Sequence, residues 1–156
     1  MKYYCEKAKL FIQVAENLME KLWNLGLTAY PNEFGGLLIG YYNDTRDKAI
    51  VIDTILPTNF KSSRYGFERD SHGLKEELLN AYNQEPRLIY LGEWHTHPDL
   101  PAYPSNDDKN ALRIIANHHE VQITNPILLI ISINRSNFSE NFFVLYKNDI
   151  IKYEKA

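Results

Sequence analysis

Cysteine is scarce in this chain, because Cys5 is the only one among 156 residues and no internal disulfide can form. The first seven residues lack the apolar core of a signal peptide. The longest apolar run, residues 126–133, is far shorter than the roughly 20 residues that a membrane-spanning helix needs. These absences predict a cytoplasmic protein with no membrane partner.

Positive charge is not in excess either. The chain has 17 lysines and arginines against 20 aspartates and glutamates, a net charge of -3, and no basic stripe. This predicts that nucleic acid is not a partner. A content of 44% hydrophobic and 13% aromatic residues is enough to bury a core, and we expect one domain over residues 1–156.

Apolar alternation and β-branched residues predict most of the strands. The run at residues 126–133 is apolar without interruption, which indicates a central strand covered on both faces. Residues 37–42 and 49–56 flank a turn and should pair as an antiparallel hairpin, whereas residues 57–63 are typical of a loop. The remaining predicted strands are residues 8–14, 64–69, 87–94, 142–146 and 150–153.

Three stretches have helical periodicity. The first begins at Ala15 and should stop at Gly26, the second is capped by Ser71 and ends near Asn83, and the third spans residues 105–119. The prediction is therefore an α/β (α+β) protein, a mixed sheet with about three helices packed on it.

Residues with metal-binding or catalytic side chains are concentrated between residues 92 and 108. His95 and His97 lie two apart after the apolar run at residues 87–91. If that strand reaches Pro98, both imidazoles project from one face of the sheet. Such a pair can share a metal ion, and zinc is one that imidazole nitrogen binds readily.

The third predicted helix begins soon after this strand. Ser105 followed three residues later by Asp108 is the pattern of a capping box, which explains both residues without any catalysis. However, the proline-rich loop at residues 98–104 is short and stiff, so the same carboxylate could reach a metal bound by the histidines. Capping and coordination are compatible. With His95 and His97, Asp108 completes three zinc ligands, and Ser105 could stabilise an oxyanion.

A zinc hydrolase also needs a carboxylate base, and the residues leave its identity open. Glu33 lies just before a strand predicted to begin near Gly35, and its side chain could point into a cleft, although an isolated glutamate is usually solvated. Glu93 shares strand parity with the histidines and is a second candidate for base or ligand, or a buried acid that supports the site. Asp99 and Asp107 are further acids nearby.

The segment His-Thr-His-Pro at residues 95–98, followed by Ser105 and Asp108, resembles the JAMM motif of JAB/MPN-domain zinc metalloproteases. Glu33 resembles the upstream glutamate of that family. The resemblance implies the curved sheet of the JAB/MPN (cytidine-deaminase-like) fold and one Zn²⁺ per chain bound by His95, His97 and Asp108. It also implies Glu33 as general base, with Ser105 binding the tetrahedral intermediate.

Members of that family typically cleave isopeptide or peptide bonds after the C-terminal glycine of ubiquitin or a ubiquitin-like protein. The small size and the Gly-Glu-Trp-His lead-in at residues 92–95 resemble bacterial stand-alone members, some from antiphage defence or conjugation operons. The resemblance thus implies a ubiquitin-like protein or protein conjugate as substrate, and conjugation enzymes of the same operon as partners.

The alternative is a catalytically silent MPN module that acts as a scaffold or protein-binding domain. Such members usually lack part of the metal-binding set, whereas every position is filled in this sequence. His72, His118 and His119 lie outside the motif and are expected to be surface or structural residues.

Overall fold

A computed structural model describes all 156 residues and contains eleven strands and three helices. The helices are α1 (Glu16–Ala29), α2 (Leu74–Tyr82) and α3 (Asn106–Asn117). The strands are β1 (Lys2–Cys5), β2 (Leu10–Val14), β3 (Gly35–Tyr42), β4 (Lys48–Ile55), β5 (Phe60–Ser63), β6 (Gly66–Arg69), β7 (Ile89–Pro98), β8 (Ile127–Ile133), β9 (Phe138–Tyr146), β10 (Asp149–Lys152) and β11 (Glu154–Lys155).

Nine strands form one mixed sheet in the order β10-β9-β8-β7-β3-β4-β2-β1-β11. The pairs β2 with β4 and β7 with β8 are parallel, and the others are antiparallel. The last segment of the chain joins the two edges, because β10 pairs with β9 and β11 pairs with β1. The curved sheet is therefore nearly closed, which leaves little unpaired edge.

The helices cover both faces of the sheet. In β8, Leu129 and Ile131 belong to the core that includes α1, whereas Leu128 and Ile130 belong to the core that includes Leu112 of α3. A smaller core joins α2 to alternate residues of β3. The predictions of a mixed sheet with three helices and of a doubly covered strand at residues 126–133 are confirmed. None of the helices combines the length and apolarity needed to cross a bilayer.

Gly26 does not stop the first helix, so that prediction is wrong. Helix α1 continues through it to Ala29. A Cβ at Gly26 would lie only 2.8 Å from Cγ2 of Thr96 and 3.0 Å from Cδ1 of Ile133. The helix packs closely on β7 and β8 at this point, and only glycine leaves enough room. In the sequence, a glycine required by such long-range packing looks the same as a glycine that ends a helix.

Several further differences lie in the segment between β4 and β7. The N-cap of α2 is Gly73, with φ of 74° and no side-chain cap, rather than the predicted Ser71. The predicted loop at residues 57–63 contains strand β5, and the following strand begins at Gly66 instead of residue 64. These two strands pair only with each other, as a hairpin outside the main sheet. Outside this segment, β1 was not predicted, and β9 begins at Phe138 rather than at residue 142.

Candidate metal centre

Strands β3 and β7 bring the glutamate segment alongside the histidines. Gly35 lies opposite His95 in the antiparallel register. A Cβ at Gly35 would lie 2.3 Å from the Trp94 carbonyl oxygen, so only glycine allows this approach. Just before it, the Phe34 amide donates to Oγ1 of Thr96 at 3.0 Å, and the Thr96 amide donates to the Phe34 carbonyl at 2.8 Å.

The two histidines and an aspartate from α3 converge on one point. Strand β7 extends to Pro98, as the histidine prediction required, and both imidazoles project from the same face. The Nε2 atoms of His95 and His97 are 3.1 Å apart. The Asp108 carboxylate faces both, with Oδ1 3.2 Å from Nε2 of His95 and Oδ2 3.3 Å from Nε2 of His97.

This donor set fits zinc in chemistry and in spacing. Nδ1 of His97 donates to the Pro101 carbonyl oxygen at 3.1 Å, so whenever the ring is neutral its Nε2 lone pair faces the cluster. Facing electron pairs repel unless a cation or proton lies among them. Tetrahedral ligands at 2.0–2.1 Å from zinc are separated by about 3.3 Å, close to the observed spacing. The residues present can therefore hold Zn²⁺.

The electrostatics of the cluster support cation binding. Burial alone would raise the pKa of Asp108, but hydrogen bonds with His95 and His97 outweigh it and hold the pKa well below its ordinary value. Burial lowers the pKa of His97, but its bonds to Asp108 and Pro101 dominate, so the net pKa is raised. The cluster thus carries an ionised carboxylate and favours positive charge beside it.

Ser105 is the N-cap of α3 and belongs to a complete capping box. Its Oγ accepts from the Asp108 amide at 3.1 Å, and Oδ2 of Asp108 accepts from the Ser105 amide at 2.7 Å. The capping prediction is confirmed. Because the box orients the same carboxylate that faces the histidines, one helix terminus provides both the cap and the third donor.

Glu33 is buried, with 8% of its surface exposed. Burial raises the pKa of its carboxyl, partly offset by the nearby His95 and His97, and no protein hydrogen bond stabilises the charge. Its backbone is fixed by the β5–β6 hairpin: the Glu33 amide donates to the Ser63 carbonyl at 2.8 Å, and the Ser62 hydroxyl donates to the Glu33 carbonyl. The side chain is thus a free carboxylate close to the donor cluster.

The other candidate acids are either paired with other residues or exposed. Glu93 accepts from Arg69 at 2.6 and 3.3 Å and from the Tyr90 hydroxyl at 3.1 Å, so it is a paired buried acid. Asp99 accepts hydrogen bonds from the Tyr30 hydroxyl and from Arg64 at 2.8 Å. Asp107 is exposed in the first turn of α3 and is not one of the converging groups.

Sequence reasoning did not identify the residues that support the cluster. Thr96 is fully buried and links β7 to the glutamate segment; strand parity could have found it, because a residue between two histidines must face the opposite side. Ser62 and Arg69 lie in the hairpin, and no local pattern marks them. His72, His118 and His119 are exposed and lie outside the cluster.

A family model described as prokaryotic homologs of the JAB domain matches residues 15–146. The chain belongs to this family. The matched segment includes Glu33 and the whole His95-to-Asp108 motif. The resemblance inferred from the motif is therefore confirmed at the level of the family.

Three relatives are each named CD-NTase/cGAS isopeptidase. The one from Enterobacter hormaechei subsp. hoffmannii is 33% identical over 127 residues, which are 81% of this chain and 69% of the relative. The one from Escherichia coli is 30% identical over 128 residues, 79% of this chain and 74% of the relative. The one from Pseudomonas aeruginosa is 36% identical over 80 residues, about half of each chain.

Solved structures agree with the fold. A solution structure of a Desulfitobacterium hafniense protein superposes with a TM-score of 0.66 at 25% identity, covering 92% of this chain and 90% of that one. A second, from Salinibacter ruber, has a TM-score of 0.60 at 21% identity and covers 92% and 88%. Together with the family match, they confirm the predicted JAB-type fold.

Proposed function

We propose that the chain is a zinc-dependent isopeptidase in which His95, His97 and Asp108 bind one Zn²⁺. The observation that carries the proposal is the convergence of three donor groups 3.1 to 3.3 Å apart near a buried glutamate. When bound, zinc would supply a Lewis acid that lowers the pKa of a water molecule and polarises a carbonyl. The remaining chemistry falls to the side chains.

Glu33 is the general base in this proposal. Its carboxylate takes a proton from the attacking water, whose oxygen bonds to the amide carbon, and returns that proton to the amine nitrogen as the C–N bond breaks. The buried position raises the pKa of the carboxyl, which makes it a stronger base for this transfer. The absence of a protein hydrogen-bond donor to the carboxylate leaves it available for water.

Ser105 is the proposed donor to the carbonyl oxygen. Its oxygen accepts from the Asp108 amide, so its own hydrogen remains free to be donated. Negative charge develops on the substrate oxygen as the tetrahedral intermediate forms, and one such donor is worth about 10²–10³ in kcat. Helix α3 fixes the serine beside the third zinc ligand.

The relatives' names guide the choice of substrate. They support, as substrate, a conjugate in which the C-terminal carboxyl group of one protein is joined to an amine of another. They also support a CD-NTase, an enzyme of the cGAS kind, as one of the two joined proteins. The modifier we propose is a ubiquitin-like protein. The chain spans 69% and 74% of the two relatives matched over most of its length, so activity and partners are both part of the proposal.

The test is cleavage of defined conjugates by the zinc-loaded chain. A ubiquitin-like protein joined by an isopeptide bond to a CD-NTase should separate into its two parts, with one water added as read by mass spectrometry. The same modifier on an unrelated protein reports whether the target matters. Glu33→Ala and a chelator should each abolish cleavage.

Two outcomes oppose this function. A purified chain that never binds zinc would remove its chemical basis. A zinc-loaded chain that cleaves neither conjugate would instead support a catalytically silent scaffold of the same family.

A further inference from the structure

The β5–β6 hairpin lies outside the main sheet and contacts both the Glu33 segment and the histidine strand β7. Its strands pair only with each other, from Phe60 opposite Arg69 to Ser63 opposite Gly66. Phe60 and Phe67 pack on Phe34, with ring centroids 5.4 and 5.8 Å apart. Phe34 follows Glu33 directly, so the hairpin covers the segment that carries the proposed base.

The hairpin also fixes the backbone of Glu33 at both its amide group and its carbonyl group. The Ser63 carbonyl accepts from the Glu33 amide at 2.8 Å, and the Ser62 hydroxyl donates to the Glu33 carbonyl. Glu33 belongs to no helix or strand, and its carboxylate has no protein hydrogen-bond partner. The orientation of its side chain therefore depends on how firmly these backbone contacts hold it.

Two arginines of the hairpin bind acidic residues on either side of the histidines, Glu93 within β7 and Asp99 directly after its end. Arg69 donates to both oxygens of Glu93, two residues before His95, at 2.6 and 3.3 Å. Arg64 donates to Asp99, two residues after His97, at 2.8 Å. The Arg69 pair is largely buried and well oriented, whereas the Arg64 pair is half exposed and contributes less.

We propose that the hairpin positions the general base, with Ser62 holding the Glu33 backbone and Arg69 fixing the hairpin to the histidine strand. This inference rests on the proposed isopeptidase function and adds two positioning residues to it. Neither residue would touch substrate. Their contribution is to keep the Glu33 carboxylate at one distance from the ligand cluster, which matters because small displacements of a catalytic group are costly in rate.

Ser62→Ala tests the first contact. The variant should keep one zinc per chain, exchange its Glu33 amide hydrogen about tenfold faster, and lose about tenfold in kcat with KM unchanged. Ser62→Thr retains the hydroxyl and should restore both values. Lys61→Ala is the control, because Lys61 is exposed on the same strand and its side chain makes no hydrogen bond or ion pair.

Arg69→Gln tests the second contact and should also speed exchange at the Glu33 amide. If Ser62→Ala keeps the wild-type exchange rate of the Glu33 amide and the wild-type kcat, the proposed role of Ser62 is wrong. If Arg69→Gln keeps the wild-type exchange rate of that amide, the proposed role of Arg69 is wrong. Amide exchange requires no substrate. A chain that cleaves no conjugate therefore refutes the proposed function, while the exchange rates still decide whether the hairpin positions Glu33.

Discussion

At the residue scale, two glutamates near the cluster differ in their partners. The Glu93 carboxylate is paired with the Arg69 guanidinium and accepts from the Tyr90 hydroxyl, whereas the buried Glu33 carboxylate has no protein hydrogen-bond donor. A base must be able to accept a proton from water, and an acid held by a bidentate guanidinium is poorly suited to that role. The contact pattern therefore favours Glu33.

We expect Glu33→Gln to retain zinc and lose about 10²–10⁴ in kcat, because it removes the proton acceptor without changing the side-chain volume. Glu93→Gln is the comparison. It should lose no more than about tenfold in kcat, but unfold about 1–3 kcal/mol more easily because Arg69 is left partly buried without its charge partner. Steady-state kinetics and urea unfolding measure both. Nearly full activity in Glu33→Gln would move the base to Glu93.

The histidines provide a second comparison between residues of one type. His97→Ala should reduce bound zinc from about one per chain to nearly none, because the Nε2 donor is lost. His72→Ala should bind zinc normally, since His72 is exposed and outside the cluster. Metal analysis after dialysis gives the stoichiometry, and equal zinc in both variants would exclude the proposed site.

At the scale of elements, strand β3 reaches β7 only because Gly35 has no side chain. The clashing atom for an added Cβ is the Trp94 backbone oxygen, 2.3 Å away, which cannot rotate aside. Any larger residue must push the two strands apart and carry Glu33 with it. Gly66, the first residue of β6, has only an ordinary contact at 3.5 Å.

Gly35→Ala should therefore destabilise the protein by about 1–3 kcal/mol or more and reduce kcat. Gly66→Ala should change the free energy of unfolding by less than about 1 kcal/mol. Urea unfolding of the two variants with zinc present makes the comparison. Equal stabilities would mean that β3 and β7 can separate without cost.

At the scale of the whole molecule, two ionisable groups of the cluster make stability depend on pH in the metal-free protein. The folded-state pKa of His97 is raised above its ordinary 6.5, so its stabilisation is present below that pH and is lost as pH rises through the folded pKa. The pKa of Asp108 is depressed below 3.8, so its stabilisation is present above that pH and lost as pH falls.

The metal-free protein should thus become less stable as pH rises above about 6.5. Added zinc should reverse the trend, because binding requires the neutral imidazole and strengthens as the proton leaves. Urea unfolding with chelator and with zinc, from about pH 5 to pH 8, tests both signs. A stability of the metal-free protein that rises steadily across this range would contradict the assignment.

Much of the site was predictable because its signals are local. The alternation of His95 and His97, the short stiff loop and the capping box each depend on residues within a few positions of one another. The same is true of β8, whose unbroken apolar run reflects burial on both faces. Local periodicity also indicated three helices on a mixed sheet. One domain over residues 1–156 and a cytoplasmic location stay predictions.

The sequence by itself predicted that His95, His97 and Asp108 would come together, because strand alternation puts the two histidines on one face and a short stiff loop brings the start of the next helix to them. Only the tertiary structure decided which acid is free, why Gly26 lies within a helix, and what holds Glu33 in place. These depend on contacts between segments far apart in the chain, such as Arg69 with Glu93 and Ser62 with Glu33. Such contacts produce no periodic pattern in the sequence, because they form only when the sheet curves and the hairpin folds over it.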